Sequence, residues 1–80
     1  MFIFNETVGI DKDAETEWLQ WIKETHIPQV MTTGHFIDFN LYRVVTHDDP
    51  ESATYCVQYR AHSIEEIVTY LEKKAPLLNS

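Results

Sequence analysis

The chain has 80 residues, of which 44% are hydrophobic, and a formal net charge of −7 at pH 7. This length indicates a single domain, 1–80, that buries only about 60% of its unfolded surface, so oligomerisation is expected to add stability. The negative charge disfavours nucleic acid and anionic membranes as partners, and no stretch is long and apolar enough to span a bilayer.

The first predicted element is a strand over residues 1–10. Its apolar residues share one face, which only Glu6 interrupts. Those apolar residues are Phe2, Phe4, Val8 and Ile10. Asn5 lies on the opposite face, and residues 11–13 form the turn into the next element.

The next stretch is a predicted helix that contains both tryptophans. Its apolar positions recur at helical spacing and comprise Ala14, Trp18, Trp21, Ile22 and Thr25. Pro28 has no amide hydrogen and disfavours a helical Ile27, so we expect the helix to end or kink near His26. We expect a further turn from Pro28 to Thr33, which Gly34 closes in a left-handed conformation.

Two strands follow the helix. Residues 35–46 predict the second strand, and a bulge or burial on both faces would explain its imperfect alternation. A polar turn over residues 47–52 contains the breaker Pro50. Residues 53–61 predict the most regular strand. One of its faces carries Tyr55, Val57, Tyr59 and Ala61, and the other carries Thr54, Cys56, Gln58 and Arg60.

Ser63 and Glu66 form a capping box that predicts the start of a second helix. Pro76 is expected to end this helix. Its predicted buried stripe is Ile64, Ile67, Val68, Leu71 and Ala75. The core expected between the helices and the sheet consists of Trp18, Ile22, Val57, Tyr59, Ile67, Val68 and Leu71.

The order strand, helix, strand, strand, helix is that of a ferredoxin-like βαββα(β) fold without its last strand. The first two strands need a right-handed crossover, and the short turn between the second and third makes a hairpin. The predicted class is therefore α+β, with an antiparallel sheet and both helices on one face. The other face carries polar side chains and must meet solvent or a partner.

The first helix carries a distinctive run, Trp18-Leu19-Gln20-Trp21, followed by His26-Ile27-Pro28, Val30-Met31, Thr33-Gly34 and Phe36. The pattern continues with Arg43-Val44, Thr54-Tyr55, Val57-Gln58-Tyr59, Ser63 and Ala75-Pro76. With these residues, nearly the whole chain resembles a family of small bacterial proteins classed as a domain of unknown function. The resemblance implies kinship with the dimeric α/β-barrel proteins, whose paired sheets enclose a small-molecule cavity and which include cofactor-free monooxygenases. It implies no particular reaction, and it implies a last strand that this sequence lacks.

His26 and the tryptophans are the first candidate site residues. A histidine at a cavity rim can act as a general base or polar anchor, whereas one at a helix end can instead cap the last carbonyls. Trp18 and Trp21 can stack on a flat ligand, although tryptophans at this spacing are more often core residues. Of the two tryptophans, Trp18 is expected in the core and Trp21 is expected to reach the edge of the core.

Polar residues on the predicted strands are the second group of candidates. Arg43, Gln58 and Arg60 can bind a carboxylate or carbonyl group, and Asn5 can join them from the first strand. The alternative is that these side chains form a polar row that faces solvent or the partner of a dimer. The tyrosines on these strands, Tyr42, Tyr55 and Tyr59, are expected in the core.

No catalytic, cofactor or metal signature stands in the sequence, so we expect neither a metal nor a cofactor. The loop residues His47, Asp48 and Asp49 offer metal ligands, but no metal-ligand spacing is present, and His35 and His62 are remote. Cys56 has no neighbouring histidine or cysteine, which disfavours a nucleophile. A single cysteine and a start without a basic leader predict a cytoplasmic protein.

Two hypotheses for function remain. One is a dimeric small-molecule-binding α/β-barrel protein, with cofactor-free catalysis as its extension and the polar face of the sheet lining the cavity. The alternative is a non-enzymatic homo-oligomeric interaction module. We expect a homodimer in either case, because the apolar first strand would be a sheet edge that only Glu6 guards. A second chain can pair with this edge, or the open face of the sheet can pack on a partner sheet. An enclosed pocket with converging polar groups would favour the first hypothesis.

Overall fold

Three strands and two helical units make up the computed structural model, which describes residues 1–47 and 49–78. The strands are β1 (Phe2–Asp11), β2 (Asp38–Val44) and β3 (Ser52–Ala61). The first unit joins α1 (Glu15–Trp21) to α2 (Ile27–Met31) through a π-helical turn, Ile22–His26. The second unit is α3 (Ile64–Leu78). Short 3-10 turns occupy Lys12–Ala14 and Val45–His47.

The strands form one antiparallel sheet in the order β1-β3-β2. The central strand β3 pairs with both neighbours, so that Tyr59 lies between Phe4 and Phe39. The α+β architecture is thereby confirmed and corresponds to a ferredoxin-like fold without its last strand. Because β1 and β2 each pair on one side only, both are edges of the described sheet.

Both helical units pack on the same face of the sheet. Trp18 of α1 contacts Tyr55, with ring centroids 5.2 Å apart, and Tyr70 of α3 contacts Phe4 at 5.7 Å. Tyr55 and Phe4 share this face, because residues two apart along a strand point the same way. The opposite face, called here the open face, carries the register row of Asn5, Gln58 and Asn40.

The core is an aromatic cluster closed by aliphatic residues. The rings of Phe4, Phe36, Tyr59 and Tyr70 lie with centroids 5.1–6.2 Å apart. Around them the buried aliphatic residues are Ile22, Ile27, Val30, Val57, Ala61 and Ile67. The predicted core is right for Ile22, Val57, Tyr59 and Ile67, whereas Trp18 is only partly buried.

The predicted buried stripe of α3 is wrong for three residues. Val68 and Leu71 are 46% and 42% exposed, and Ile64 is exposed as well. The helix is rotated so that Ile67 and Tyr70 face the sheet, because the Tyr70 ring fits against Phe4 and Phe36. The helix also continues through Pro76 to Leu78, where the proline removes one helical hydrogen bond near the end.

The expected break near His26 takes the form of a π turn. The Ile27 amide donates to the Ile22 carbonyl five residues back, and Ile27 keeps helical angles (φ −60, ψ −46). A π turn is wider than an α turn, which gives the Pro28 ring room beside the carbonyl it would otherwise strike. Gly34 closes the unit with φ +80, as the sequence predicts.

The orientation of α3 can be tested by a pair of alanine substitutions. Phe36→Ala is expected to lower the free energy of unfolding by about 3–5 kcal/mol, because it empties the aromatic cluster. Leu71→Ala, on the exposed side, is expected to change it by about 0.5 kcal/mol or less. Urea melts at low protein concentration measure both. A larger loss for Leu71→Ala than for Phe36→Ala would contradict the observed rotation of the helix.

Candidate functional site

A pocket of about 350 Å³ lies between β1 and the helical unit that contains α1 and the π turn. Its apolar walls come from Val8, Trp18, Trp21, Ile22 and Val57. Its polar lining consists of Glu6, Thr7 and His26. The strand β1, which forms one wall of this pocket, is also an edge strand of the described sheet.

The π turn brings the aromatic wall and the histidine together. Trp21 and His26 are five residues apart, which in an α-helix would turn their side chains about 140° away from each other. The π turn closes its hydrogen bonds over that same spacing, so the two side chains lie one above the other. Their rings stack with centroids 4.9 Å apart and an interplanar angle of 24°.

Glu6 faces His26 across the pocket. The strand alternation places Glu6 on the helix side of β1, between Phe4 and Val8. Its Oε1 lies 3.6 Å from His26 Nε2, and the two side chains are 29% and 22% exposed. This separation exceeds a hydrogen bond but suits an ion pair when the imidazole is protonated. The polar end of the pocket therefore consists of a carboxylate and an imidazole, both mostly withdrawn from water.

The hydroxyl of Tyr59 lies buried near this pair. Tyr59 is 0% exposed, and its Oη has no hydrogen-bond partner among the described residues. Burial raises the pKa of Tyr59, and the negative charge of Glu6 raises it further. The hydroxyl therefore keeps its proton and remains a hydrogen-bond donor.

The open face holds a different polar group. Arg60 Nε donates to Asp38 Oδ1 at 2.6 Å, and Arg60 Nη2 donates to Asp38 Oδ2. This paired contact lowers the pKa of Asp38 through its hydrogen bond from Arg60, and it raises the pKa of Arg60. Beside it, Asn5 Nδ2 donates to Thr7 Oγ1 at 2.8 Å. The guanidinium fork is therefore already engaged within the chain.

A second histidine ties the loop after α2 to α3. His35 Nδ1 lies 2.8 Å from Glu66 Oε2, and Lys73 Nζ lies 3.1 Å from His35 Nε2. Because a lysine ammonium can only donate, Nε2 accepts, and Nδ1–H donates to the carboxylate. This network occupies both ring nitrogens and joins the loop to the helix, which is a structural role.

The comparison with family models bears on the whole chain. The model of a domain of unknown function, DUF4286, matches residues 1–80. The chain belongs to this family. No curated protein and no solved structure matches it significantly. The family carries no assigned activity, so the function of this DUF4286 domain has to be argued from its geometry.

The fold divides the sequence-predicted site residues of the DUF4286 domain into three groups. Trp21 and His26 meet in the pocket, together with Trp18. On the opposite, open face lie Asn5, Gln58 and Arg60. Arg43 lies in register with Tyr55, whose hydroxyl donates to Glu15 and whose pKa is raised chiefly by that hydrogen bond. His26 and the strand residues therefore do not converge on one site.

Glu6 is the charged pocket residue that the sequence did not indicate as a site candidate. Its signal was present, because it is the one charge on an otherwise apolar strand face. The π turn is the second feature that the sequence did not predict. Pro28 indicates that the helix is disturbed, but it does not indicate which form the disturbance takes.

Clusters of metal ligands are absent from the described part of the DUF4286 domain. There, no three His, Cys, Asp or Glu side chains are grouped to hold a metal ion. The side chains of His47 and Asp48, which belong to the loop considered from the sequence, lie outside the described residues. No described helix is both long and apolar enough to cross a membrane.

Tyr59→Phe tests the state of the buried hydroxyl. Removing an unpaired buried hydroxyl is expected to leave the free energy of unfolding unchanged near pH 7, or to raise it by about 1 kcal/mol. Because the folded pKa is raised, this tyrosine's contribution to stability is complete below its ordinary value of 10.0 and declines as the pH rises above it. That decline should be smaller in the variant.

Urea melts near neutral pH and at about pH 11 measure both effects. The matched control is Tyr42→Phe, since Tyr42 is exposed and its hydroxyl is expected to contribute nothing. A destabilisation of Tyr59→Phe by more than about 1 kcal/mol near pH 7 would show instead that the hydroxyl has a hydrogen-bond partner.

Proposed function

We propose that this domain binds a small molecule in the pocket between β1 and the π turn. Pockets of about 300–1,000 Å³ with apolar walls and a few converging polar groups are typical of small-ligand sites. The pocket here has a volume of about 350 Å³ and two tryptophans in its walls. The observation that carries the proposal is the Glu6–His26 pair, 3.6 Å apart at the polar end of these apolar walls.

Cofactor-free catalysis is the extension of this proposal. An imidazole beside a carboxylate suits proton transfer, with His26 as the base and Glu6 as the group that stabilises its protonated form. The stacking on Trp21 orients the ring. A substrate in the pocket would present its acidic C–H or O–H to Nε2, the atom that faces Glu6.

Self-association is the second part of the proposal, and it also supports the alternative function as an interaction module. Exposed apolar side chains include Phe2 and Ile3 on β1, and Ile64, Val68 and Leu71 on α3. Unpaired apolar edges are normally covered in native proteins. We propose a homodimer in which the partner chain covers the β1 edge. We also propose a cytoplasmic location, which agrees with a single cysteine, Cys56, that is free and buried.

The ligand proposal can be tested with the chain's own reporters. Its only two tryptophans, Trp18 and Trp21, both line the pocket. A small-molecule library screened by proton NMR should therefore yield binders that shift both indole N–H signals. Val8→Phe narrows the pocket and is expected to weaken such binding at least about tenfold, because the larger ring takes up ligand space.

The matched control for this test is Val45→Phe, the same change at a valine that is 71% exposed and does not line the pocket. Binding should be unchanged in this control. A screen without binders, or binders that tolerate Val8→Phe as well as Val45→Phe, would overturn the pocket as a ligand site.

The dimer can be tested by sedimentation velocity at micromolar concentration. Ile3→Lys places a charge on the exposed β1 edge, where Ile3 is 53% exposed, and is expected to shift the protein towards monomer. Val45→Lys is the matched control on a different segment and should leave the association unchanged. Phe4 is unsuited to this test, because it faces the helices and a lysine there would destabilise the fold. A wild-type monomer would contradict the proposed dimer.

A further inference from the structure

We infer that the pocket takes an organic cation, a small primary amine with an apolar or aromatic body. This inference rests on the proposed ligand-binding function and names the class of ligand. It is carried by the meeting of one carboxylate with two indole rings in a pocket whose described lining residues include no lysine or arginine.

The charge of the lining favours a positive ligand. Of the eight lining residues, Glu6 carries the negative charge, and His26 is positive only when it is protonated. The Glu6 side chain is 29% exposed, so its charge acts through a medium less polarisable than bulk water. An anion in the pocket would lie against this carboxylate, whereas an ammonium group would form a charge-assisted hydrogen bond with it.

The aromatic walls favour the same class. Tryptophan is the best side-chain partner for a cation that lies within about 6 Å of the ring centroid. Trp21 is 46% exposed although His26 stacks on it, so its ring is accessible to a ligand. Trp18 adds a second indole on the same helix, one turn earlier. A ligand with an apolar body can therefore be held by the walls while its ammonium group reaches Glu6.

The charge of the whole molecule acts in the same direction. The chain has 13 acidic residues and 6 basic ones. Such an excess draws cations towards the surface and repels anions, an effect that salt weakens. The binding of an amine should therefore become weaker as the salt concentration rises, while the binding of a neutral molecule of the same shape should not.

Three probes of matched shape test the inference: 2-phenylethylamine as the cation, 2-phenylethanol as the neutral molecule and 3-phenylpropanoate as the anion. Titrations follow the two indole N–H signals and tryptophan fluorescence. The amine is expected to bind at least about tenfold more tightly than the alcohol, and the carboxylate more weakly than both.

A pair of variants assigns the preference to Glu6. Glu6→Gln should reduce amine binding to the level of the alcohol while leaving the alcohol unaffected. Glu17→Gln removes the same charge from an exposed helix position outside the pocket and should preserve the preference. Near-ultraviolet circular dichroism verifies that each variant is folded. If Glu6→Gln does not fold, the salt dependence of the wild-type protein still separates charge recognition from shape recognition.

The outcomes distinguish the two proposals. If the alcohol or the carboxylate binds as tightly as the amine, the pocket is a ligand site but the inference of a cation is overturned. The same conclusion follows if amine binding is insensitive to salt and to Glu6→Gln. If none of the three probes and no library compound shifts the indole signals, the proposed function itself fails.

Discussion

The π turn between Trp21 and Ile27 is the constraint on which the candidate site depends. In an ordinary α turn before Pro28, the proline ring would clash with a carbonyl of that turn. The wider π turn accommodates the ring while the backbone stays helical. The same widening stacks His26 on Trp21, which α-helical geometry would keep apart. The helix nevertheless buries Ile22 within the turn and Ile27 and Val30 after it, so the core holds the irregular backbone in place.

Around the polar end of the pocket, polar groups occupy positions where a stable core would have apolar ones. A carboxylate on the helix side of β1 and a buried tyrosine hydroxyl with no partner among the described residues both reduce stability when considered alone. Such groups persist in proteins mainly where binding or chemistry requires them. The Glu6–His26 pair, whose carboxylate also acts on the Tyr59 hydroxyl, distinguishes this region from the open face, where Arg60 and Asp38 satisfy each other.

The exposed apolar residues connect the site to the question of assembly. Residues of β1 line the pocket, and β1 is also the sheet edge that carries Phe2 and Ile3. A second chain on this edge would shield apolar surface and at the same time change access to the pocket. Ligand binding and self-association would then be coupled, since each would alter the free energy of the other.

Much of the fold could be predicted from the sequence, because it depends on local patterns. The alternation along β1 and β3, the order of the elements and the left-handed Gly34 all follow from residues close together in the chain. Only the tertiary structure decided how α3 is rotated about its axis. Tyr70 faces the sheet and Leu71 faces outward because the Tyr70 ring fits the aromatic cluster, and the pattern of a single helix does not contain that fit.

The composition of the candidate site could likewise not be predicted from the sequence. Glu6 and His26 are twenty positions apart, and their meeting depends on the packing of a helix with a π turn against a particular strand. The same sheet geometry placed Gln58 and Arg60 on the face opposite Val57 and Tyr59, because successive residues of a strand point to opposite sides.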